Sequence, residues 1–317
     1  MTTVFVFPGQ GSQAVGMLAA LAVEYPEVQL TFAQASAVLG YDLWQVTQQG
    51  PEDQLNSTEC TQPAMLAAGI ATLRVWQRRG GPAPDVVAGH SLGEFSALVA
   101  AESLDFAAAI DLVRWRGRFM QEAVPAGEGA VAAILGLDDA ELQAACNEAA
   151  QGSVVELVNY NAPGQIVIAG ARAAVERAIA AAKARGAKRG VLLPVSAPVH
   201  SSLMRAAAQR LRDQLAGVEI RAPRIRFVSS VDARERTAAE DIRTLLVEQL
   251  ASPVRWIDTV RALAAPSPVA LVECGPGKVL TGLNRRIEKR PDVTCLALED
   301  VATLDAALEA MTGKGGA

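Results

Sequence analysis

Aromatic residues make up only 4 % of this 317-residue chain, and it has just two histidines. Basic residues are not in excess, and the formal net charge is −5, so the broad positive field of a nucleic-acid-binding domain is absent. The four cysteines, Cys60, Cys146, Cys274 and Cys295, are scattered. No CxxC pair or Cys/His spacing is present, which argues against a zinc site or a disulfide framework. Reduced thiols in a cytoplasmic protein are expected. No apolar run reaches the roughly 18 residues that a membrane span needs. Met1-Thr2-Thr3 has no basic character, and the apolar run Val4–Phe7 stops at Pro8, so no secretory signal is expected.

Half of the residues are hydrophobic, with Ala, Val and Leu dominant, enough for a large core of helices packed on a sheet. Short β runs alternate with helical stretches, the signature of an α/β fold. Strands are expected at Thr3–Phe7, Asp85–Ala88, Arg226–Ser230 and Val269–Glu273. A helix is expected from Leu92 to about Glu102 and another from Phe106 to about Ala123. Composition shifts at Pro125–Gly129. Beyond it, strands at Ala130–Leu135, Val154–Val158, Gln165–Ala169 and Arg189–Val195 interleave with helices at Asp138–Ala150 and Ala171–Arg185. The turn-rich Asn161–Gly164 joins the middle two strands. This β-α-β-β-α-β order is the ferredoxin-like pattern. The expected architecture is a large α/β-hydrolase-like subdomain with a mostly parallel sheet, residues 1–127 and 196–317. A ferredoxin-like small subdomain, 128–195, is inserted in it. The end, Gly313–Ala317, reads as frayed.

Gly89-His90-Ser91-Leu92-Gly93 fits Gly-x-Ser-x-Gly, which chance supplies in roughly one such chain in ten. Its context is more specific. It directly follows a strand and precedes a helix, as a nucleophile elbow requires. The helix N-terminus then directs N–H groups at a developing oxyanion. The alternative is a helix N-cap serine. A serine nucleophile needs a base. His90 is adjacent in sequence and its side chain diverges from Ser91, which leaves His200. It sits in Ser196–Ser202 between an expected strand and a helix, unless it is a structural histidine. On the helix through residues 109–120, Ala109, Leu112, Val113, Trp115, Phe119 and Met120 form an apolar arc at about 100° per residue. Arg114 and Arg118 point away from it, but Arg116 falls in its middle. A buried guanidinium needs a partner. That partner is either an internal acid or a substrate carboxylate, which Arg recognises in bidentate fashion.

Seven blocks in order resemble malonyl-CoA:acyl carrier protein transacylases of type II fatty acid synthesis. They are Phe7–Gln13, Gly89–Leu98, Arg116–Met120, Asn159–Gln165, His200–Met204, Gln249–Trp256 and Glu273–Gly277. The resemblance implies that Ser91 is acylated, that His200 is its base and that Arg116 pairs with the malonyl carboxylate. It places the oxyanion hole at the N–H groups of Gln10 and Leu92, and the backbone carbonyl of Gln249 as the group that orients the histidine. It implies malonyl-CoA and an acyl carrier protein as partners, no metal, no bound cofactor and a monomer. Val199 departs from the bulkier Phe of many relatives, which bears on the shape of the acyl pocket.

Carrier proteins of this kind are acidic, so docking requires a local basic patch. Candidates are Lys183, Arg185, Lys188 and Arg189, or Arg285, Arg286, Lys289 and Arg290. Rival readings are a serine esterase or thioesterase, a non-catalytic protein that kept the fold, and a transacylase serving a polyketide synthase or malonate decarboxylase. Gly9-x-Gly11 after a strand also raises a dinucleotide site, but no acidic residue ends a second strand about 20 positions on.

Overall fold

A computed structural model describes residues 1–195 and 197–313. Ser196, and the part of the expected frayed end beyond Gly313, lie outside the described residues. Among the described residues, ten strands form two sheets. The first contains β1 (Thr2–Phe7), β2 (Val86–Gly89), β7 (Arg226–Val228), β8 (Glu235–Arg236), β9 (Val269–Glu273) and β10 (Val293–Ala297). Its order is β10-β9-β1-β2-β7-β8, parallel throughout except for the β7–β8 hairpin at one edge. The second contains β3 (Gly129–Leu135), β4 (Val155–Ala162), β5 (Gln165–Ala171) and β6 (Arg189–Leu192). Its order is β4-β5-β3-β6, all antiparallel.

Parallel strands covered on both faces read as continuous apolar runs, and β1 does so. Phe5 and Phe7 join the core on one face, where Phe5 meets Trp76 edge-on at 5.7 Å. Val4 and Val6 pack on the other face with Trp256, Val260 and Leu280. The small sheet is also two-sided. Ala130, Ala132 and Ile134 pack against the helices Asp139–Ala150 and Arg172–Ala184. Val131, Val167 and Ala169 face the other way and meet Leu193, Val195 and Val199. That second face covers the end of β2. A backbone bridge joins the two units: Tyr160 N–H donates to the Val254 carbonyl at 2.9 Å, and Val254 N–H donates to the Val158 carbonyl at 2.9 Å.

Several boundaries differ from those expected. β4 runs on to Ala162, so the first half of the turn-rich segment is strand and the turn is only Pro163-Gly164. β6 stops at Leu192 instead of Val195, where Pro194 has no N–H to continue the ladder. β7 ends at Val228, because Ser229 and Ser230 turn to donate hydrogen bonds to Glu94. The edge strand β10 and the buried helix Thr58–Arg78, which carries Pro63 inside it, are not among the expected elements.

Glycines allow the close approaches at the centre of the fold. A Cβ on Gly93 would lie 2.0 Å from the Phe7 carbonyl oxygen, and one on Gly89 would lie 1.9 Å from the Gly93 carbonyl carbon. Gly93→Ala is therefore expected to cost about 2 kcal/mol or more in stability, since the clash is with backbone. A urea midpoint equal to that of the unaltered protein would refute this.

Candidate active site

Ser91 sits at the end of β2 with φ 52°, in the left-handed region. His200, in the loop after the small sheet, has φ 63°. Each non-glycine residue held there costs roughly 1–2 kcal/mol, so both turns must be held by their surroundings. The elbow is held by His90 N–H donating to the Phe7 carbonyl at 3.0 Å and Gly93 N–H donating to the His90 carbonyl at 2.9 Å. The His200 loop is held from β4, where the Glu156 carboxylate accepts from Ser202 N–H at 2.7 Å and Ser202 Oγ at 2.8 Å.

These turns bring Ser91 Oγ to 2.7 Å from His200 Nε2. His200 Nδ1 lies 2.8 Å from the Gln249 carbonyl oxygen. A carbonyl can only accept, so Nδ1 carries the proton and Nε2 is free to accept from serine. Burial, and then the nearby Arg116 charge, push the imidazole pKa down to about 3. It is therefore neutral and able to take a proton at ordinary pH. His90 points elsewhere, with Nε2 2.8 Å from Asn161 Oδ1.

The helix Phe106–Glu122 starts at Asp105, whose carboxylate accepts from Ala108 N–H at 3.0 Å. Gly117 lets it press on the helix Thr58–Arg78, since a Cβ there would lie 2.4 Å from the Thr58 carbonyl oxygen. Arg116, 1 % exposed, thereby reaches inward. It donates to Gln62 Oε1 at 2.9 Å, Gln249 Oε1 at 2.8 Å and Ser91 Oγ at 3.1 Å. The Phe95 ring lies under the guanidinium at 5.5 Å. Its Nε is buried without a partner among the described residues. No carboxylate there accepts a hydrogen bond from it, so an internal ion pair is not what holds Arg116. Burial lowers its pKa to about 10, which still leaves it charged.

Gln10 and Leu92 border the same cavity, of about 90 Å³, with Ser91, Arg116, His200 and Val199. Neither Gln10 N–H nor Leu92 N–H finds an acceptor among the described residues. The Gly9–Ser12 loop does not lead into a helix N-terminus, because the next helix begins only at Ala19. A Cβ on Gly9 would lie 2.5 Å from the His90 carbonyl oxygen. The glycine serves the approach of this loop to the elbow, which leaves the dinucleotide reading without its helix.

The family model for the acyl transferase domain matches residues 4–298. The chain belongs to the acyl transferase family. The malonyl CoA-acyl carrier protein transacylase of Escherichia coli (strain K12) is 57 % identical over 305 residues, covering 96 % of this chain and 98 % of the relative. That of Bacillus subtilis (strain 168) is 42 % identical over 308 residues, covering 97 % and 96 %. Among solved structures, the Coxiella burnetii malonyl CoA-acyl carrier protein transacylase superposes with a TM-score of 0.95 at 44 % identity, covering 98 % of both chains. A malonyl-transacylase in complex with its type II PKS acyl-carrier protein also gives 0.95, at 52 % identity, covering 98 % of this chain and all of that one.

Two buried polar residues of this acyl transferase site were not singled out in the sequence. Gln62 supplies one of the acceptors for Arg116. Glu94 is fully buried and contacts Gln249. A charge within the apolar run Leu92–Ala100 was the available signal for Glu94. Gln62, in a helix buried nearly all round, offered none.

The depressed imidazole pKa has a consequence for stability. The unfolded chain protonates His200 near 6.5, but the folded chain does so only near 3. Between those values the unfolded state binds more protons, so stability falls as pH drops through that window. His200→Ala should remove part of this pH slope in urea titrations run from pH 7 to pH 4. An identical slope in variant and parent would overturn the assignment.

Proposed function

We propose that the chain transfers a malonyl group from malonyl-CoA to the phosphopantetheine thiol of an acyl carrier protein, supplying fatty acid synthesis. The observation that carries this reading is a buried, charged Arg116 placed 3.1 Å from Ser91 Oγ and held by amide oxygens instead of an acid. Such a guanidinium suits an acyl group that brings its own carboxylate. The shared name of the relatives agrees with it.

Malonyl-CoA enters, and Arg116 takes its free carboxylate. His200 accepts the Ser91 proton as Oγ attacks the thioester carbonyl. The N–H groups of Gln10 and Leu92 receive the developing oxyanion. Coenzyme A leaves with the proton from His200, and a malonyl ester remains on Ser91. The carrier thiol then attacks this ester, with His200 again handling the proton. Pairing of Arg116 with the substrate carboxylate offsets the positive charge that suppresses His200, so the base strengthens once malonyl is bound. The narrow cavity restricts water, which favours the thiol as acceptor over hydrolysis. Residues 128–195 act as a small subdomain whose open sheet face roofs this site, inserted in the catalytic subdomain 1–127 and 196–317.

The acidic carrier protein has a basic face to meet. Lys188 lies against Gly136, Gly136 N–H donates to the Gly164 carbonyl, and Arg286 bonds the side chain of the next residue, Gln165. The two basic segments therefore flank one turn region. Arg185 is already paired with Glu141 and Glu148, and Arg290 with Glu288, which leaves Lys183, Lys188 and Arg189 on one segment and Arg285, Arg286 and Lys289 on the other.

Intact-protein mass spectrometry after mixing with malonyl-CoA should show a malonyl adduct that Ser91→Ala abolishes. Carrier protein should discharge it much faster than water; rapid hydrolysis would favour a thioesterase instead. Arg116→Ala should cut malonyl transfer by at least about 100-fold, in line with losing a buried charged contact. Acetyl transfer should be spared, whereas an equal loss for both acyl groups would make Arg116 purely structural. Charge reversal at Lys188 and Arg189, or at Arg285 and Arg286, should raise KM for carrier protein and leave the CoA half-reaction unchanged. An unaltered KM in both variants would remove this face as the docking site.

A further inference from the structure

Glu94 is a fully buried carboxylate that the proposed chemistry does not use. One oxygen, Oε1, accepts from Ser229 Oγ at 2.9 Å, Ser230 N–H at 2.5 Å and Ser230 Oγ at 3.1 Å. The other, Oε2, accepts from Gln249 Nε2. The same Gln249 nitrogen donates to the Ser91 carbonyl oxygen at 3.0 Å. This leaves Gln249 Oε1 for Arg116, at 2.8 Å.

A side-chain amide is nearly symmetric in shape but has a donor on one side and an acceptor on the other. What surrounds it decides which way it points. Here two acceptors, the Glu94 carboxylate and the Ser91 carbonyl, stand on one side. Four hydrogen bonds donated to Glu94 favour its carboxylate form against burial, and a carboxylate can only accept, so it requires the NH₂ group. The oxygen must then face the guanidinium. With the amide reversed, its NH₂ group would oppose Arg116, and its oxygen would oppose both the carboxylate and the Ser91 carbonyl.

We infer that Glu94 is a positioning residue for acyl selectivity: through the Gln249 amide it fixes the acceptor that aims Arg116 at the substrate carboxylate. The inference rests on the malonyl-transfer reading above. Glu94 touches neither substrate nor the reacting atoms. It faces Arg116 from one end of a relay of three side chains, and the relay passes on hydrogen-bond polarity. Its burial raises its pKa, opposed by the four hydrogen bonds it accepts. His200 is held by the Gln249 main chain and not by the amide. The base should therefore be little affected when the amide turns.

The test is Glu94→Gln in the full-length protein. Three donors surround the Oε1 position, so the new amide must put its oxygen there and its NH₂ group towards Gln249. Gln249 then has to turn or withdraw, and Arg116 loses an acceptor. Steady-state kcat and KM would be measured with malonyl-CoA and acetyl-CoA, with the pH dependence of each. The expected result is a drop of about tenfold or more in the malonyl-to-acetyl ratio of kcat/KM, mostly through KM for malonyl-CoA. The acid limb for acetyl transfer should stay in place. Glu94→Asp, which keeps an acceptor-only group, should recover most of the ratio. An equal loss for both acyl groups in Glu94→Gln would reduce Glu94 to a structural residue and overturn the inference. Absence of malonyl preference in the unaltered protein would overturn the functional reading itself.

Neutron diffraction on the deuterium-exchanged, unaltered protein gives a second measurement that does not depend on how the variants fold. Deuterium on the Gln249 atom facing Glu94 supports the relay. Deuterium on the atom facing Arg116 refutes it.

Discussion

Gln249 holds the site together from two different atoms. Its main-chain oxygen fixes the tautomer of His200, and its side-chain oxygen holds Arg116. His200 and Arg116 are thereby both held by one residue, at the end of the helix Ala239–Glu248. A neutral carbonyl does for His200 what an acidic third member does in a Ser-His-Asp triad, but it adds no negative charge. Burial and the neighbouring Arg116 charge therefore leave the imidazole weakly basic.

The arrangement is strained where it acts. Both Ser91 and His200 have backbone conformations that L-residues avoid. The surroundings over-determine them: β1 and β2 pair in parallel, the elbow glycines admit no side chain, and Glu156 pins the following loop from the small sheet. The open face of that sheet, with Val131 and Val167, closes the cavity over Ser91. Packing of the two units thus builds the site and limits what fits beside Ser91.

Much of this was legible locally. The strand–elbow–helix sequence around Ser91 is a local pattern, and the β-α-β-β-α-β succession follows from periodicities of two and 3.6. Arg116 announced itself as a charge within an apolar helical arc. Boundaries were less legible where a side chain or proline overrode the pattern. Pro194 cut β6 short, and the serines after Val228 left the strand for Glu94. The helix Thr58–Arg78 gave little periodic signal because it is buried nearly all round.

By itself the sequence determined the kinds of groups present: one elbow serine, two histidines, and one arginine on an apolar face. These follow from residue identity and short-range spacing, which hydrophobic periodicity and steric limits make readable. Only the tertiary structure decided that Arg116 meets amides and no acid, that Gln62 and Glu94 belong to the site, and which way Gln249 points. Those contacts join residues 54 to 158 positions apart in the chain. Their geometry comes from helix approach at Gly117 and from burial of the side chains, and no local pattern in the sequence encodes either.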